Sequence, residues 1–502
     1  MSRWLKALAL VAPQAAMKRA AAFHALRAYD GAKQSFRTNT LAQRGGSANA
    51  SLSTQIARLS ARAHDLVRNT PEAARTIEVL SSHIVGTGVH VAWNTGSDRR
   101  DRQVKDLWNR WCKLADMEGV LSFAGLQRLA VAAMFEGGDV LARLIDVPSS
   151  EMTGRAQGLP GLRLQLLEGE QIDASMDTGS IAGSQPRVKL GVEIDEWNRR
   201  KGFHVLADQD GERLTAKGAR TQRLAAADVC HLFRQLRPGQ LRGVTVFAPV
   251  LLTSRDFADL IEALTVKARM EACYGLGIET PDVGKMGLAA ADGSESTADG
   301  KRIEDLHPGM VVYTRPGEKI TSIAPTGGLS VEPILLANLM RFAAGVNLTY
   351  DQVTGDLRQA NYSSLRAGKI EFFRFVEQFQ WLCLAPMLLD RVVDRWLDRA
   401  MMGGLLADRR EGYAFDYVMP AREPIDPKKD LEADILAVRA GRMSPQEFIG
   451  AWGRDWREVV DNTGKFLAEI DRKGLVLDID PRRTTQTGSA QGKPGQEKAN
   501  EP

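Results

Sequence analysis

Residues 354–379, TGDLRQANYSSLRAGKIEFFRFVEQF, carry the reading on which the fold turns. A polar loop, Gly355-Asp356-Leu357-Arg358-Gln359-Ala360-Asn361, runs into Tyr362-Ser363-Ser364, and a long helix rich in Phe follows. Ser363 and Ser364 stand where they can accept hydrogen bonds from the first N–H groups of that helix. Arg358, Gln359 and Asn361 lie on a short polar segment that can touch a polyanion without gripping it.

Two helical stretches lie upstream. Pro249 opens one of about 25 residues, roughly 38 Å long, which Gly275 ends. Glu332 to Ala344 forms the second, ended by Gly345. Between them residues 276–330 hold short strands, LGIET and GMVVYT, around an Asp/Gly/Ser/Ala-rich loop. Eight acids against five bases make this insertion acidic. Downstream the helix runs from Ser363 to about Met401, and Pro386 is expected to kink it. YAFDYVMP reads as a strand and Lys428–Arg439 as a helix. Ser444 with Glu447 forms a capping box for another.

Nearer the N-terminus, Leu52, Ile56, Leu59, Ala63, Leu66 and Val67 repeat at helical spacing. Asn69-Thr70-Pro71 interrupts the pattern, with Thr70 as N-cap and Pro71 at the first helical position. Gly86-Thr87-Gly88 ends the next helix. Arg102–Leu114 is another, with Trp108 and Trp111 on one face as core. Ser122 caps a helix through Phe135. Residues 139–245 then break into short apolar or alternating runs that read as strands. Val192–Asp195 and Phe203–Val205 form a hairpin around Asn198. Cys230 and His231 are adjacent in a strand, so they point to opposite faces and cannot share a metal. Arg237–Gly243, RPGQLRG, reads as a turn-rich hinge. The fold class is α+β.

At 502 residues, 44% hydrophobic and 25% charged, the chain is an ordinary folded composition with two to four structural regions. The formal net charge of +4 is too small for a tight nucleic-acid binder. Any DNA contact is therefore weak or multiplied over many copies. Cys112, Cys230, Cys273 and Cys383 are far apart, which argues against a zinc site or a disulfide framework. Met1 to Arg37 carries seven Lys or Arg against Asp30 alone. Its apolar run resembles a secretory signal but is broken by Pro13 and Gln14. A basic arm touching nucleic acid or a partner, and a solvated tail, are equal readings. No apolar run approaches the roughly 20 residues needed to span a bilayer.

The stretches AYDGAK (28–33), ARAHDLVRNTPEAARTIEVLSSHIVGTGV (61–89), HLFRQLRPGQLRGVTVFAPVL (231–251) and TGDLRQANYSSLRAGKIEFFR (354–374) together resemble lambda-family portal proteins of tailed bacteriophages, over about residues 25–475. The resemblance implies a ring, typically of twelve copies, around a central channel at one capsid vertex. Double-stranded DNA would pass through it without sequence specificity. The implied parts are a basic arm (1–24), an α/β wing (25–246), a stem (247–275 and 331–346) and a small α/β clip (276–330). A tunnel loop (347–362), the long wing helix and following strand (363–424), a helical crown (425–480) and a disordered tail (481–502) complete the chain. The terminase large subunit and a head-completion or tail adaptor would dock at the clip, for which Glu279, Asp282, Glu304 and Asp305 are the candidates. The major capsid or scaffold protein would meet the wing and stem. The protein would belong to the virion, with assembly in the host cytoplasm.

An acidic clip and a modest net charge suit a conduit, because each neutralised phosphate adds salt-dependent affinity. Arg358, Gln359 and Asn361 are the candidate DNA contacts of the tunnel loop. For Arg358 a salt bridge to Asp356 or to a neighbouring subunit stands beside that reading. Lys267, Arg269 and Arg341 of the stem face DNA or pair with acids such as Glu262 and Glu271.

Enzyme readings are weaker. DGKR at 299–302 lacks the spacing and the hydroxyl of a phosphate loop. Neither GxSxG nor HExxH occurs. The seven histidines show no ligand spacing. Asp351, Asp356 and Glu371 are the one carboxylate group near the loop, and helix capping with surface charge explains them better than a two-metal site. The sequence therefore points to no catalytic residue, metal or cofactor. A ring-forming tail-adaptor or baseplate protein is the competing structural class.

Overall fold

The structure, a computed structural model, describes residues 46–482 apart from 178–186, 207–220, 273–275, 280–318, 323–330, 359–361 and single positions at 423, 425, 476, 478, 479 and 481. The basic arm, GMVVYT, Cys273, Gly275 and the C-terminal tail lie outside the described residues.

The chain enters through α1 (Ala48–Leu52) and α2 (Ile56–Asn69). Pro71 starts α3 (Pro71–Val85), as its fixed φ and missing N–H allow. Thr70 stands at the N-cap, but its hydroxyl caps nothing. β1 (His90–Trp93) follows. α4 (Asp98–Cys112) begins earlier than the expected Arg102. Asp98 and Asp101 occupy its first turn, where the helix dipole favours negative charge. Asp101 also accepts from Thr95 N at 2.8 Å and from Thr95 Oγ1 at 2.6 Å. α5 (Phe123–Gly137) is capped by the Ser122 hydroxyl, as expected, and ends at Gly138.

Strands follow. β2 (Asp139–Asp146), β3 (Leu162–Glu168) and β8 (Val229–Phe233) form an antiparallel sheet with β2 in the middle. β4 (Arg187–Lys189), β5 (Val192–Ile194), β6 (Arg200–Leu206) and β7 (Thr221–Ala225) form an antiparallel meander. The β5–β6 hairpin turns at Asn198, with φ 60. On β8, Cys230 and Leu232 enter the main core, while Val229 joins a second core with Leu141 and Phe203. The alternation across the strand is the expected one.

The stretch Arg237–Gly243 is not a hinge. Gln240 accepts from Leu236 N at 2.9 Å and Arg237 N at 3.1 Å. Leu241 and Arg242 are buried. A Cβ on Gly243 would sit 1.9 Å from the Gly138 carbonyl oxygen. Turn residues here serve a close backbone approach, and close approach looks the same in sequence as looseness.

α6 (Leu251–Ala272) begins after a turn at Pro249 and is about 33 Å long. β9 (Leu276–Glu279) pairs antiparallel with β10 (Lys319–Ser322), a strand the sequence reading passed over. α7 (Glu332–Gly345) and the short α8 (Tyr350–Thr354) follow. α9 (Tyr362–Phe379) starts at Tyr362, so Ser363 and Ser364 fall inside its first turn and are not its caps. The long helix then runs as a π-helical segment (Gln380–Leu389) containing Pro386, and as α10 (Asp390–Met402). The wider π turns absorb the hydrogen bond that proline cannot make.

β11 (Phe415–Val418) returns to pair antiparallel with β1, Trp93 opposite Phe415. α11 (Pro427–Arg439), α12 (Pro445–Ala451) and α13 (Trp456–Lys473) close the chain. The Ser444–Glu447 capping box is present in both directions. α13 leans on α4 and β1: Lys105 Nζ lies 2.8 Å from Glu458, and Arg457 donates to the Trp93 carbonyl at 2.8 Å.

The main core gathers Trp93, Trp108, Trp111, Phe123 and Trp396 from four separate elements. Trp108 meets Trp396 edge-on at 5.0 Å. Each such side chain buries enough apolar surface for about 1.5–3 kcal/mol. The long helix is thereby fastened to the N-terminal half. Its Phe372, Val376 and Phe379 face the same core at three- and four-residue spacing. Among the described residues no helix is long and apolar enough to cross a membrane.

Candidate nucleic-acid interface

The loop after α7 is built on a fixed base. Val346, Leu348 and Val353 are buried in the main core. Asn347 takes the left-handed conformation, φ 59, that turns the chain out of α7. A capping box joins Thr349 and Gln352. Arg75 of α3 reaches across and donates from Nε to the Gln352 carbonyl at 2.6 Å. Gly368 of α9 lies so close to this base that a Cβ there would meet Thr349 Cγ2 at 2.9 Å. The first part of the expected tunnel loop is therefore braced through Thr354.

Beyond Gly355 (φ 72) Leu357 and Arg358 are exposed and Asp356 is half-buried. Asp356 organises this stretch. Its carboxylate accepts from Arg358 Nε at 3.0 Å, Arg358 Nη2 at 2.8 Å, Arg358 N at 3.0 Å and Tyr350 Oη at 3.2 Å. The Arg358 side chain, with the backbone N–H, holds the Asp356 carboxyl well below the usual carboxylate range. The salt bridge weighed against DNA contact is thus formed inside the loop. The Arg358 side chain nonetheless stays 84% exposed. Gln359 and Asn361 lie outside the described residues.

The helices α6 and α7 approach closely at one end. A Cβ on Gly345 would fall 2.3 Å from Val250 Cγ1, and Phe247 packs on Phe342 at 6.3 Å. Arg269 and Arg341 are exposed and Lys267 is half-buried. Arg255 pairs with Asp259 at 3.1 Å along α6. Leu252, Ile261, Val266, Ile334 and Met340 of the same helices are exposed apolar side chains. Glu279 ends β9 opposite Lys319. Asp282, Glu304 and Asp305 lie outside the described residues.

Two charged clusters escaped the sequence reading because their members are far apart in the chain. Asp139 is buried and accepts from Arg242 Nε and Nη2, from Gly243 N and from His231 Nε2. Burial pushes its carboxyl up, but Arg242 and His231 more than offset this and hold it below the carboxylate range. The second cluster is His64, Glu168 and Glu170, whose ligand-type atoms lie within 4.8 Å of one another. It is the one His/Cys/Asp/Glu group among the described residues with spacing for a metal; Asp351, Asp356 and Glu371 do not form one. His64 Nδ1 lies 2.7 Å from Glu136, and Nε2 lies 3.3 Å from Glu170. The hydrogen bonds to Glu136 and then Glu170 raise the His64 pKa to about 10. The cluster therefore works as a protonated ion-pair node joining α2, α5 and the end of β3.

The model of the family described as phage portal protein, lambda family, matches residues 34–380. A probable portal protein of Halomonas phage phiHAP-1 is 23% identical over 439 residues, 83% of this chain and 81% of that protein. Portal protein B of Escherichia phage lambda is 22% identical over 476 residues, 86% and 87% of the two chains. Among solved structures, a chain from the neck of an empty gene transfer agent particle overlaps at TM-score 0.43 and 13% identity, covering 80% of this chain and 93% of that one.

Proposed function

The chain belongs to the lambda family of phage portal proteins, and from that premise we propose that it forms a ring-shaped DNA channel at one capsid vertex. The observation that carries this is the helix pair α6 and α7. Its ends meet at Val250 and Gly345, it brackets residues 276–330, and it leaves apolar side chains bare along its length. Bare Leu252, Ile261, Val266, Ile334 and Met340 call for cover. Neighbouring copies of the same pair supply it when about twelve subunits close a ring. The wing, stem, clip, tunnel-loop and crown boundaries given above belong to the same proposal.

In such a ring each exposed Arg358 becomes one of a collar of charges facing the channel. Its bidentate bond to Asp356 limits what it offers a phosphate, which suits a conduit that must let DNA slide. Gln359 and Asn361 would add uncharged contacts. Lys267, Arg269 and Arg341 would line the stem. The strand pair at Glu279, with Asp282, Glu304 and Asp305, would receive the terminase large subunit during packaging and a head-completion adaptor afterwards.

Native mass spectrometry of the purified 55.0 kDa chain, with electron-microscope class averages, tests the proposal. A ring of about twelve copies with a central hole is the expected result. A monomer or dimer in salt that permits assembly would overturn it. A closed ring that assembles onto tails but not onto heads would instead favour the adaptor class.

A further inference from the structure

Between the β-meander and the π-helical segment lies a cavity of 430 Å³ whose described lining includes Arg200, Phe203, His231, Phe233, Pro386 and Arg391. Two guanidinium groups share it, and no Asp or Glu is among its described lining residues. Arg200 lies over the Phe233 ring at 4.8 Å and donates to the Leu241 carbonyl at 3.4 Å. Its Nε is buried and has no hydrogen-bond partner among the described residues. Arg391 donates to the Ala226 carbonyl.

The rest of α10 shows how unusual this is. Arg391, Arg395 and Arg399 repeat every four residues on one helix face. Arg395 pairs with Asp146 and Asp228, and Arg399 with Asp146. Arg391, the member at the cavity, has no acid among the described residues. Burial lowers the Arg200 pKa; the Asp139 charge partly offsets this, and the Arg391 charge adds to the lowering. Asp139 itself is bonded to Arg242 and His231, so among the described residues no carboxylate pairs directly with Arg200 or Arg391.

His231 supplies a second, independent sign. It is 6% exposed, lines the cavity, and spends Nε2 on Asp139 at 3.2 Å. Its Nδ1 is buried and has no partner. Burial holds the ring neutral, below its ordinary pKa. With the Nε2 proton directed at the Asp139 carboxylate, Nδ1 presents a lone pair that lacks a donor. A buried polar atom left so is costly and calls for a partner. The adjoining π-helical turns are of a kind that gathers at functional sites.

We propose that this cavity is a binding site for a phosphate-class dianion, held between Arg200 and Arg391 with its own P–O–H directed to His231 Nδ1. Two guanidinium forks match the charge and tetrahedral oxygens of such an ion. Monohydrogen phosphate or a terminal phosphomonoester carries both the double charge and the single donor. Sulfate carries the charge without the donor. A phosphodiester carries neither in full, so the site is separate in chemistry from a channel that brushes the DNA backbone.

Calorimetric titration of the full chain in chloride buffer at fixed ionic strength tests this. Inorganic phosphate should bind saturably, one per chain, and sulfate several-fold more weakly. Arg391→Gln, which removes the guanidinium charge, should weaken phosphate binding by about tenfold or more. Its melting temperature in chloride should not change, and phosphate should raise that of the unaltered chain but not of the variant. A 5′-phosphorylated dinucleotide that competes with phosphate would identify a terminal phosphomonoester as a source; one that does not would leave free phosphate as the ligand. Absence of saturable binding up to about 10 mM phosphate would overturn the proposal. So would equal affinity in Arg391→Gln, or binding of an unphosphorylated dinucleotide as tight as that of phosphate.

Discussion

Two Asp–Arg pairs in this molecule use the same chemistry to opposite ends. Asp139 and Arg242 are each 2% exposed in their side chains and tie β2, β8 and the 237–243 segment together. Asp356 and Arg358 stand on an exposed loop, two residues apart. The buried pair cannot part without leaving a charge in a dry interior. The exposed pair can part at little cost, because water replaces either partner. The first fixes β2 to the 237–243 segment, and the second holds an exposed side chain that can exchange partners. Bond geometry alone does not separate them, since both are multidentate; burial does.

Breaking the buried pair has the largest expected effect. Arg242→Met leaves the buried Asp139 carboxylate without its charged partner and should cost about 3–5 kcal/mol, read by urea unfolding. Stability like that of the unaltered chain would remove the contrast drawn here. Next is the stem. Gly345→Ala drives a methyl group into Val250 Cγ1 and should cost about 1–3 kcal/mol, with ring yield falling alongside.

The His64 node gives a test by pH. Its folded pKa is raised to about 10 from 6.5, so its contribution is fully present below pH 6.5 and is lost as pH rises toward 10. The melting-temperature gap between the unaltered chain and His64→Gln should be constant below pH 6.5 and close on approach to pH 10. A gap that does not change with pH would show that the imidazole is not charged in the fold. Asp139, with its depressed pKa, has the opposite sign: its contribution holds at neutral pH and is lost only below the usual carboxylate range.

The smallest effect on stability belongs to the exposed pair. Arg358→Ala should leave melting and ring assembly unchanged and impair DNA packaging or retention. Asp356→Ala should equally leave the fold intact, but it releases Arg358 and should increase the salt-sensitive hold on DNA. Normal packaging and retention in Arg358→Ala would count against the loop contact.

The sequence by itself determined the elements whose causes are local. Pro71 at a helix start, the Ser122 cap, the Ser444–Glu447 box, the Asn198 hairpin and the Trp108–Trp111 face are all read from neighbours a few residues apart. The family resemblance, and the helix pair α6 and α7 on either side of residues 276–330, were legible in the same way. What required tertiary structure is whatever joins distant residues. Arg75 reaches 277 positions along the chain to brace the loop base. Asp139 meets Arg242, and His64 meets Glu136 and Glu170, with no spacing signal to announce either. The apparent hinge at 237–243 is a held turn, because Gly243 packs against the Gly138 backbone and Gln240 bonds Leu236 and Arg237. Charge sign and residue type are written in the chain, but whether an arginine meets an acid, a carbonyl or an empty cavity depends on which elements the fold lays beside it.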